Sequence, residues 1–261
     1  MKNLLIKFGL TLVILMLGAI GVTAQNIVAP ANADAAESLD LYAVGELLKD
    51  SENLEKFEEK LNDSETGINN LDLNDDQAVD FVRVTEQIAG DTHLVVLQTT
   101  LGEDEFQDVA TVAFERESGE KYNLQIQGDA EIYGANYYVV PANNDFGAWN
   151  VVRWIFRPNY RPYVSTYNYR SLPRWWKVRR PVAVNVYRGR ADIFAGRRNF
   201  TSSRSVTVKT IGKINYRPRT STVITRKKVT QTRAVTNRNG NPNQTQTTTR
   251  TKTKTVRGKR Q

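Results

Sequence analysis

The chain has 261 residues, no cysteine and a single histidine, His93. This excludes disulfides, thiolate metal centres, a lipid-modified cysteine and any Cys–His or multi-histidine site, while the length suffices to bury a core without covalent staples. The net charge of +8 conceals a division. Residues 25–150 carry 27 acidic and 6 basic side chains, a net −21, whereas residues 151–261 carry 28 basic side chains and Asp192 alone, a net +27. Such asymmetry implies different partners for the two halves, or that each is the partner of the other.

In chain order, Lys2 and Lys7 precede an apolar run from Gly9 to Gly21, and Val22-Thr23-Ala24 supplies small residues ahead of Gln25. This is the pattern of a signal peptide over residues 1–24. The run is shorter than the roughly 20 apolar residues that a spanning helix needs, so cleavage leaves no transmembrane span. The expected location is periplasmic or secreted, as a bacterial envelope protein. Residues 25–36 read as a linker.

Residues 37–142 read as an acidic α+β domain. Leu41, Val44, Leu47 and Leu48 fall at helical spacing after Ser38, an expected N-cap, and Leu54, Phe57 and Leu61 share a face after Ser51, another. From Val79 the pattern changes to strands: Val79–Ile88, His93–Thr100, Val109–Arg116 and Tyr122–Gln127. Gly90-Asp91, Gly102-Glu103 and Ser118-Gly119 supply turn chemistry between them. Gaps this short demand antiparallel pairing. The expectation is two N-terminal helices packed on an antiparallel four-stranded meander that ends near Pro141.

Residues 143–200 form a basic segment rich in Arg, Trp, Tyr and Pro, with all four tryptophans of the chain between Trp149 and Trp176. Prolines 158, 162, 173 and 181 break any long helix, so irregular structure is expected apart from one strand at Val182–Tyr187. Residues 201–261 are dominated by Thr, Arg, Lys, Asn and Gln. With so little to bury, this tail is expected to be largely disordered.

Four motifs carry chemistry. Asp72, Asn74, Asp76 and Asp80 place oxygen ligands at the alternation a Ca²⁺ loop uses, with the Ala78 carbonyl between them. Gln77 stands where the sharp turn wants Gly, and Arg83 where an EF-hand has its bidentate Glu; any ion here would be structural. Glu103, Asp104, Glu105 and Asp108 form a second acidic cluster, which beside a turn reads as a solvated loop and not as a glycosidase pair. His93 reads as a strand residue with a satisfied hydrogen bond.

The fourth motif is aromatic and basic. Trp154, Tyr160, Tyr163, Trp175 and Trp176 interleave with Arg157, Arg161, Arg170, Arg174, Arg179 and Arg180. Arg pairs with phosphate or carboxylate and stacks on aromatic faces, while Trp and Tyr stack on bases or sugar rings. The segment therefore reads either as an adhesive surface for polyanion or glycan, or as a small second core rimmed by arginines. The tail is a polycation without a nucleic-acid-binding fold, so specific nucleic-acid recognition is not expected. The candidate partners are anionic envelope polymers or polysaccharide, with self-association of acidic and basic halves as the alternative. No catalytic constellation is legible, and a non-enzymatic role is expected; a carbohydrate-active enzyme would need two carboxylates facing each other across a cleft beside Trp175 or Trp176.

The runs Gly67-Ile68-Asn69-Asn70-Leu71-Asp72-Leu73-Asn74, Val79-Asp80-Phe81-Val82-Arg83-Val84 and Gln107-Asp108-Val109-Ala110 resemble exported proteins of uncharacterised function in Bacteroidota. The resemblance implies the same order of an acidic domain, an Arg/Trp/Tyr/Pro-rich stretch and a Thr/Arg-rich tail, and Gly at the position of Gln77. It implies no activity.

Overall fold

A computed structural model describes residues 36–118, 121–222 and 224. The expected signal peptide, nearly all of the expected linker and the tail from residue 225 lie outside the described residues.

Asp40, and not Ser38, caps the first helix, α1 (Leu41–Lys49), its carboxylate accepting from the Tyr42 and Ala43 amides. Asn53, and not Ser51, caps α2 (Leu54–Asn62) by accepting from the Lys56 amide at 2.8 Å. Ser51 instead donates to the Leu47 carbonyl at 2.6 Å and closes the preceding helix. Both shifts follow from competition among neighbouring capping residues, since Asp, Asn and Ser satisfy orphan amides about equally well. The apolar faces are those that the spacing predicts: Leu41, Val44, Leu47 and Leu48 on α1, and Leu54, Phe57 and Leu61 on α2 are all buried. Each contributes about 1.5–3 kcal/mol of transfer free energy.

The protein is α+β. Among the described residues the sheet has six antiparallel strands in sequence order: β1 (Val82–Ala89), β2 (Thr92–Gly102), β3 (Glu105–Arg116), β4 (Tyr122–Gly128), β5 (Tyr138–Pro141) and β6 (Phe200–Ser203). The first four are the meander that the sequence predicts, although β1 begins three residues later than Val79. Gly90 at φ +60° makes the two-residue β1–β2 turn, since a left-handed residue matches the strand twist there. β5 and β6 are four residues each, too short to give a periodic signal. A helix of four residues, α3 (Ala130–Tyr133), lies between β4 and β5.

The basic segment is not irregular throughout. It contains α4 (Asn150–Ile155), which buries Val151, Val152 and Ile155, and α5 (Val184–Ala195), which buries Tyr187 and Ala191. α5 replaces the strand expected at Val182–Tyr187. Alternation over Val-Asn-Val-Tyr suggests a strand, but Tyr187 and Ala191 are one helical turn apart and dock together against α1. The Tyr187 hydroxyl accepts from the Asp40 amide at 2.6 Å, fixing α5 to the start of α1.

One main core therefore draws on both halves of the chain: α1, α2 and the inner face of the sheet (Val84, Leu97, Val112, Phe114, Ile126) pack with Trp149, Val152, Tyr187 and Phe200. Residues 163–165 lie along the open edge of β1. Thr85 bridges Val164, the Glu86 amide donates to Tyr163 O at 2.7 Å and the Ser165 amide to Val84 O at 2.9 Å. Residues 207–221 run along the sheet, where Val208 and Ile214 cover Leu94, Val96 and Ala113. The composition from Thr201 onward predicts disorder because it offers little apolar surface. The described part, through Thr222, is held mainly by hydrogen bonds: the Thr207 amide to Gln125 (2.6 Å), the Ser221 amide to Gln107 (2.8 Å) and the Tyr216 hydroxyl to Asp108 (2.6 Å).

Candidate anion-binding surface

The acidic half buries several carboxylates, and the basic half supplies much of their solvation. Glu58 on α2 accepts from Ser165 Oγ at 2.7 Å, Tyr163 Oη at 2.9 Å and the Val84 amide at 3.2 Å. Glu86 on β1 accepts from Tyr160 Oη at 2.6 Å and the Tyr163 amide at 2.9 Å, and its other oxygen meets His93 Nδ1 at 2.7 Å. His93 is thus a buried strand residue with a hydrogen bond, its ring set edge-on against Phe156 at 4.5 Å. Glu46 accepts from the amide and the side chain of Asn199. Asp108 accepts from Gln98 Nε2, Tyr216 Oη and the Arg219 amide. The reading of Asp108 as part of a solvated acidic loop is therefore corrected: only Glu103 and Asp104 sit at the β2–β3 turn, and a register shift at Leu97/Gln98 sets Asp108 opposite Gln98, where Tyr216 and Arg219 cover it.

Burial pushes the Glu58 carboxyl above its usual range, and its hydrogen bonds from Ser165 and Tyr163 pull it back only in part. Burial, followed by the facing carboxylates, pushes the Tyr160, Tyr163 and Tyr216 phenols far above theirs, so all three are donors. The donors to these carboxylates are hydroxyls, amides and one imidazole. Arginine heads do not enter, which avoids the cost of desolvating a guanidinium as well. The ion pairs that join the two halves, Arg170–Glu103, Arg188–Glu37 and Arg197–Asp50, are all on the surface, where each contributes little.

The aromatic-basic residues consequently divide by role. Tyr160 and Tyr163 hold the segment to the sheet. Trp176 packs edge-on against Phe81 at 5.3 Å, and Arg179 lies over it while donating to the Asn62 and Asn69 carbonyls; burial lowers the Arg179 pKa. Trp154, Arg157, Arg161, Arg174, Trp175 and Arg180 remain at the surface. Both readings of this segment thus apply, each to a different subset.

Trp154, Arg157 and Arg161 are brought together. Trp154, at the C-terminal end of α4, is 38 % exposed, and the Arg157 guanidinium stacks on it with Cζ 3.6 Å from the ring centroid. The stack borders a groove of about 430 Å³ between the N-terminus of α2 and residues 159–164, lined also by Asn53, Glu55, Asn159 and Arg161. A shallower concavity that shares Trp154 and Arg157 is lined by Glu52, Asn150 and Arg153. Arg174, Trp175 and Arg180 are not part of this groove. Arg153, Asn150 and Asn159 were missed by sequence reasoning; the i, i+3 spacing of Asn150 with Arg153 and of Trp154 with Arg157 would have pointed to the first two had α4 been anticipated.

The Asp72–Asp80 loop closes on itself. Asp72 accepts from the Asp76 and Gln77 amides, Asn74 from the Asp76 amide, Asp76 from the Ala78 amide and Asp80 from the Leu73 amide. Gln77 takes the left-handed conformation, φ +68°, at the position where the turn wants Gly. Among the described residues there is no group of three or more His, Cys, Asp or Glu side chains arranged to hold a metal ion. A separate cavity of about 400 Å³ between the sheet and residues 211–220 contains Asp108 and Asp129. Burial and the nearby Asp108 raise Asp129 to about 6, but Asp108 is already committed to three donors.

Comparison of the chain with family models, curated proteins and solved structures finds no match. No described helix is long and apolar enough to cross a membrane.

Proposed function

We propose that this protein is a non-enzymatic, exported binder of anionic polymers, acting at the bacterial envelope through the outward face of its basic half. The observation that carries this reading is the division of labour just described. Hydroxyls and amides solvate the buried acids, and Arg179 turns inward to the Asn62 and Asn69 carbonyls, while Arg157 and Arg161 stay exposed; the Trp154–Arg157 stack stands on a groove whose polar lining includes Arg161, Asn53 and Asn159, with one carboxylate, Glu55, at the start of α2. A guanidinium stacked on an indole keeps its N–H groups available for carboxylate or sulfate, while the exposed part of the ring can cover a sugar face. The cationic tail would add affinity with little selectivity.

The test is calorimetric titration of the chain from Gln25 onward with polygalacturonate and with a neutral glucan, at two salt concentrations. Affinity for the acidic polymer should fall with salt, and the Trp154→Ala/Arg157→Ala variant should bind about tenfold more weakly, one stacked and one charged contact being lost. Equal binding of the neutral glucan, or an unchanged double variant, would refute the reading. Self-association is the second reading, resting on the same acidic–basic contacts made between two chains. A mass corresponding to one chain at low and high salt rules it out.

A further inference from the structure

Between Tyr169 and Val182 the chain repeats in threes, although it is neither helix nor strand there. Pro173, Trp176 and Arg179 turn toward the protein. Trp176 packs with Val79 and Phe81, and Arg179 donates to the Asn62 and Asn69 carbonyls. The Val79 amide donates to Arg179 O at 2.8 Å, and the Val182 amide to Asn70 Oδ1 at 2.8 Å. The residue before each of these is apolar and exposed: Leu172 (37 % exposed), Trp175 (39 %, its ring leaning on Phe81 and Tyr167 with centroids 6.0 and 6.4 Å away) and Val178 (74 %), preceded three positions earlier by Tyr169 (53 %). The residue after each is an exposed cation, namely Arg174, Lys177 and Arg180, none of which forms an ion pair among the described residues.

The segment is thus three-sided, with one side anchored, one apolar and one cationic. The anchored side fixes the other two, so little ordering is required on contact. Leu172 and Val178 decide the nature of the occupant. An aliphatic side chain neither stacks on a sugar nor hydrogen-bonds to a hydrated polyanion, and gains only where it leaves water. Trp and Tyr beside such residues, next to cations, suit the boundary between headgroups and acyl chains of an anionic bilayer.

We propose that residues 169–180 dock on an anionic lipid surface, with Tyr169, Leu172, Trp175 and Val178 entering the headgroup boundary and Arg174, Lys177 and Arg180 meeting lipid phosphates. This surface is separate from the Trp154–Arg157 groove, and it stands if that groove binds nothing. The test is co-sedimentation of the chain from Gln25 onward with phosphatidylcholine vesicles and with vesicles of equal parts phosphatidylcholine and phosphatidylglycerol, at one physiological salt concentration, so that the tail contributes equally to every variant compared. The protein should bind the anionic vesicles, and Val178→Asp should weaken binding about tenfold or more, an acid being costly in the headgroup boundary. At such an exposed position the variant should keep its native near-UV circular dichroism. Vesicles should shift the tryptophan emission to the blue, and Trp175→Phe should remove most of that shift. The Trp154→Ala/Arg157→Ala variant should bind vesicles as the parent does, and Val178→Asp should bind polygalacturonate as the parent does. The proposal is overturned by absence of vesicle binding, by a Val178→Asp variant that binds normally or by an emission unaltered on binding. It also fails if Val178→Asp weakens polygalacturonate binding equally, which would make the occupant a polysaccharide.

Discussion

Replacing Tyr163 by Phe tests the argument that neutral donors from the basic segment solvate buried acids. The ring stays, so packing against the main core is retained, and what is lost is the hydroxyl that donates to Glu58 at 2.9 Å. Glu58 then keeps two donors, Ser165 Oγ and the Val84 amide. A hydrogen bond to a charged acceptor contributes about 1.5–3 kcal/mol, a sizeable part of the roughly 5–15 kcal/mol that holds a domain folded. The loss should appear at neutral pH as a lower urea midpoint with an unchanged slope. In acid, where the carboxyl is protonated, the bond is neutral and its contribution falls to about 0.5–1.5 kcal/mol. Because burial already raises the Glu58 pKa, the folded protein takes up this proton more readily than the unfolded chain. Stability therefore falls as pH rises from the ordinary glutamate range through the folded value, and Tyr163→Phe should steepen that fall. In a Glu58→Gln background the same substitution should cost at least about 1 kcal/mol less, a coupling that a double-mutant cycle reads directly. An equal cost at both pH values and in both backgrounds would refute the reasoning.

Asp129 shows the same linkage with a defined window. Its pKa rises from 3.8 to about 6, so its penalty grows as pH rises from the ordinary aspartate range and levels off above the folded value; Asp129→Asn, which retains the cap to the Glu131 amide, should be more stable than the parent by about 3 kcal/mol at neutral pH and equal to it in acid, by urea unfolding. Gly45 in α1 faces the Phe200 ring of β6, and a Cβ there would lie 2.7 Å from Cζ. Gly45→Ala should therefore destabilise by about 1–2 kcal/mol, overpacking outweighing the gain in helix propensity, and Phe200→Leu in the same chain should recover part of the loss.

The parts of the fold legible in the sequence are those whose causes are local. The faces of α1 and α2 follow from 3.6-residue spacing, and the meander from alternation broken by Gly90 and Gly102. The strap formed by residues 156–182 was not legible because its partners are distant: Tyr163 meets Glu58 105 positions away, and Asn70 meets Val182 112 positions away. A tyrosine that anchors and one that adheres have the same local signature, so Tyr160 and Tyr163 could not be separated from Trp154 in advance. Residues 207–221 were obscured for a related reason. They are fixed by threonine, serine and backbone amides meeting Gln107, Asp108 and Gln125, and composition weighs apolar content where hydrogen-bonding partners decide. Asp108 reads as a turn acid because its neighbours in sequence are turn acids, while the residues that cover it, Tyr216 and Arg219, lie 108 and 111 positions away.

The pairing of residues 163–165 with the open edge of β1 also sets an order of events. The sheet's first strand has both neighbours only after the chain has extended some 80 residues past it, so a nascent or truncated chain that stops before Tyr160 presents a bare row of amides and carbonyls, with Glu58 and Glu86 short of donors. Such an edge is a template for pairing with another chain, and contacts of this sequence separation form late. The early, acidic part of the polypeptide is therefore open to edge pairing until residues 160–165 reach it, and their docking is the event that closes the sheet.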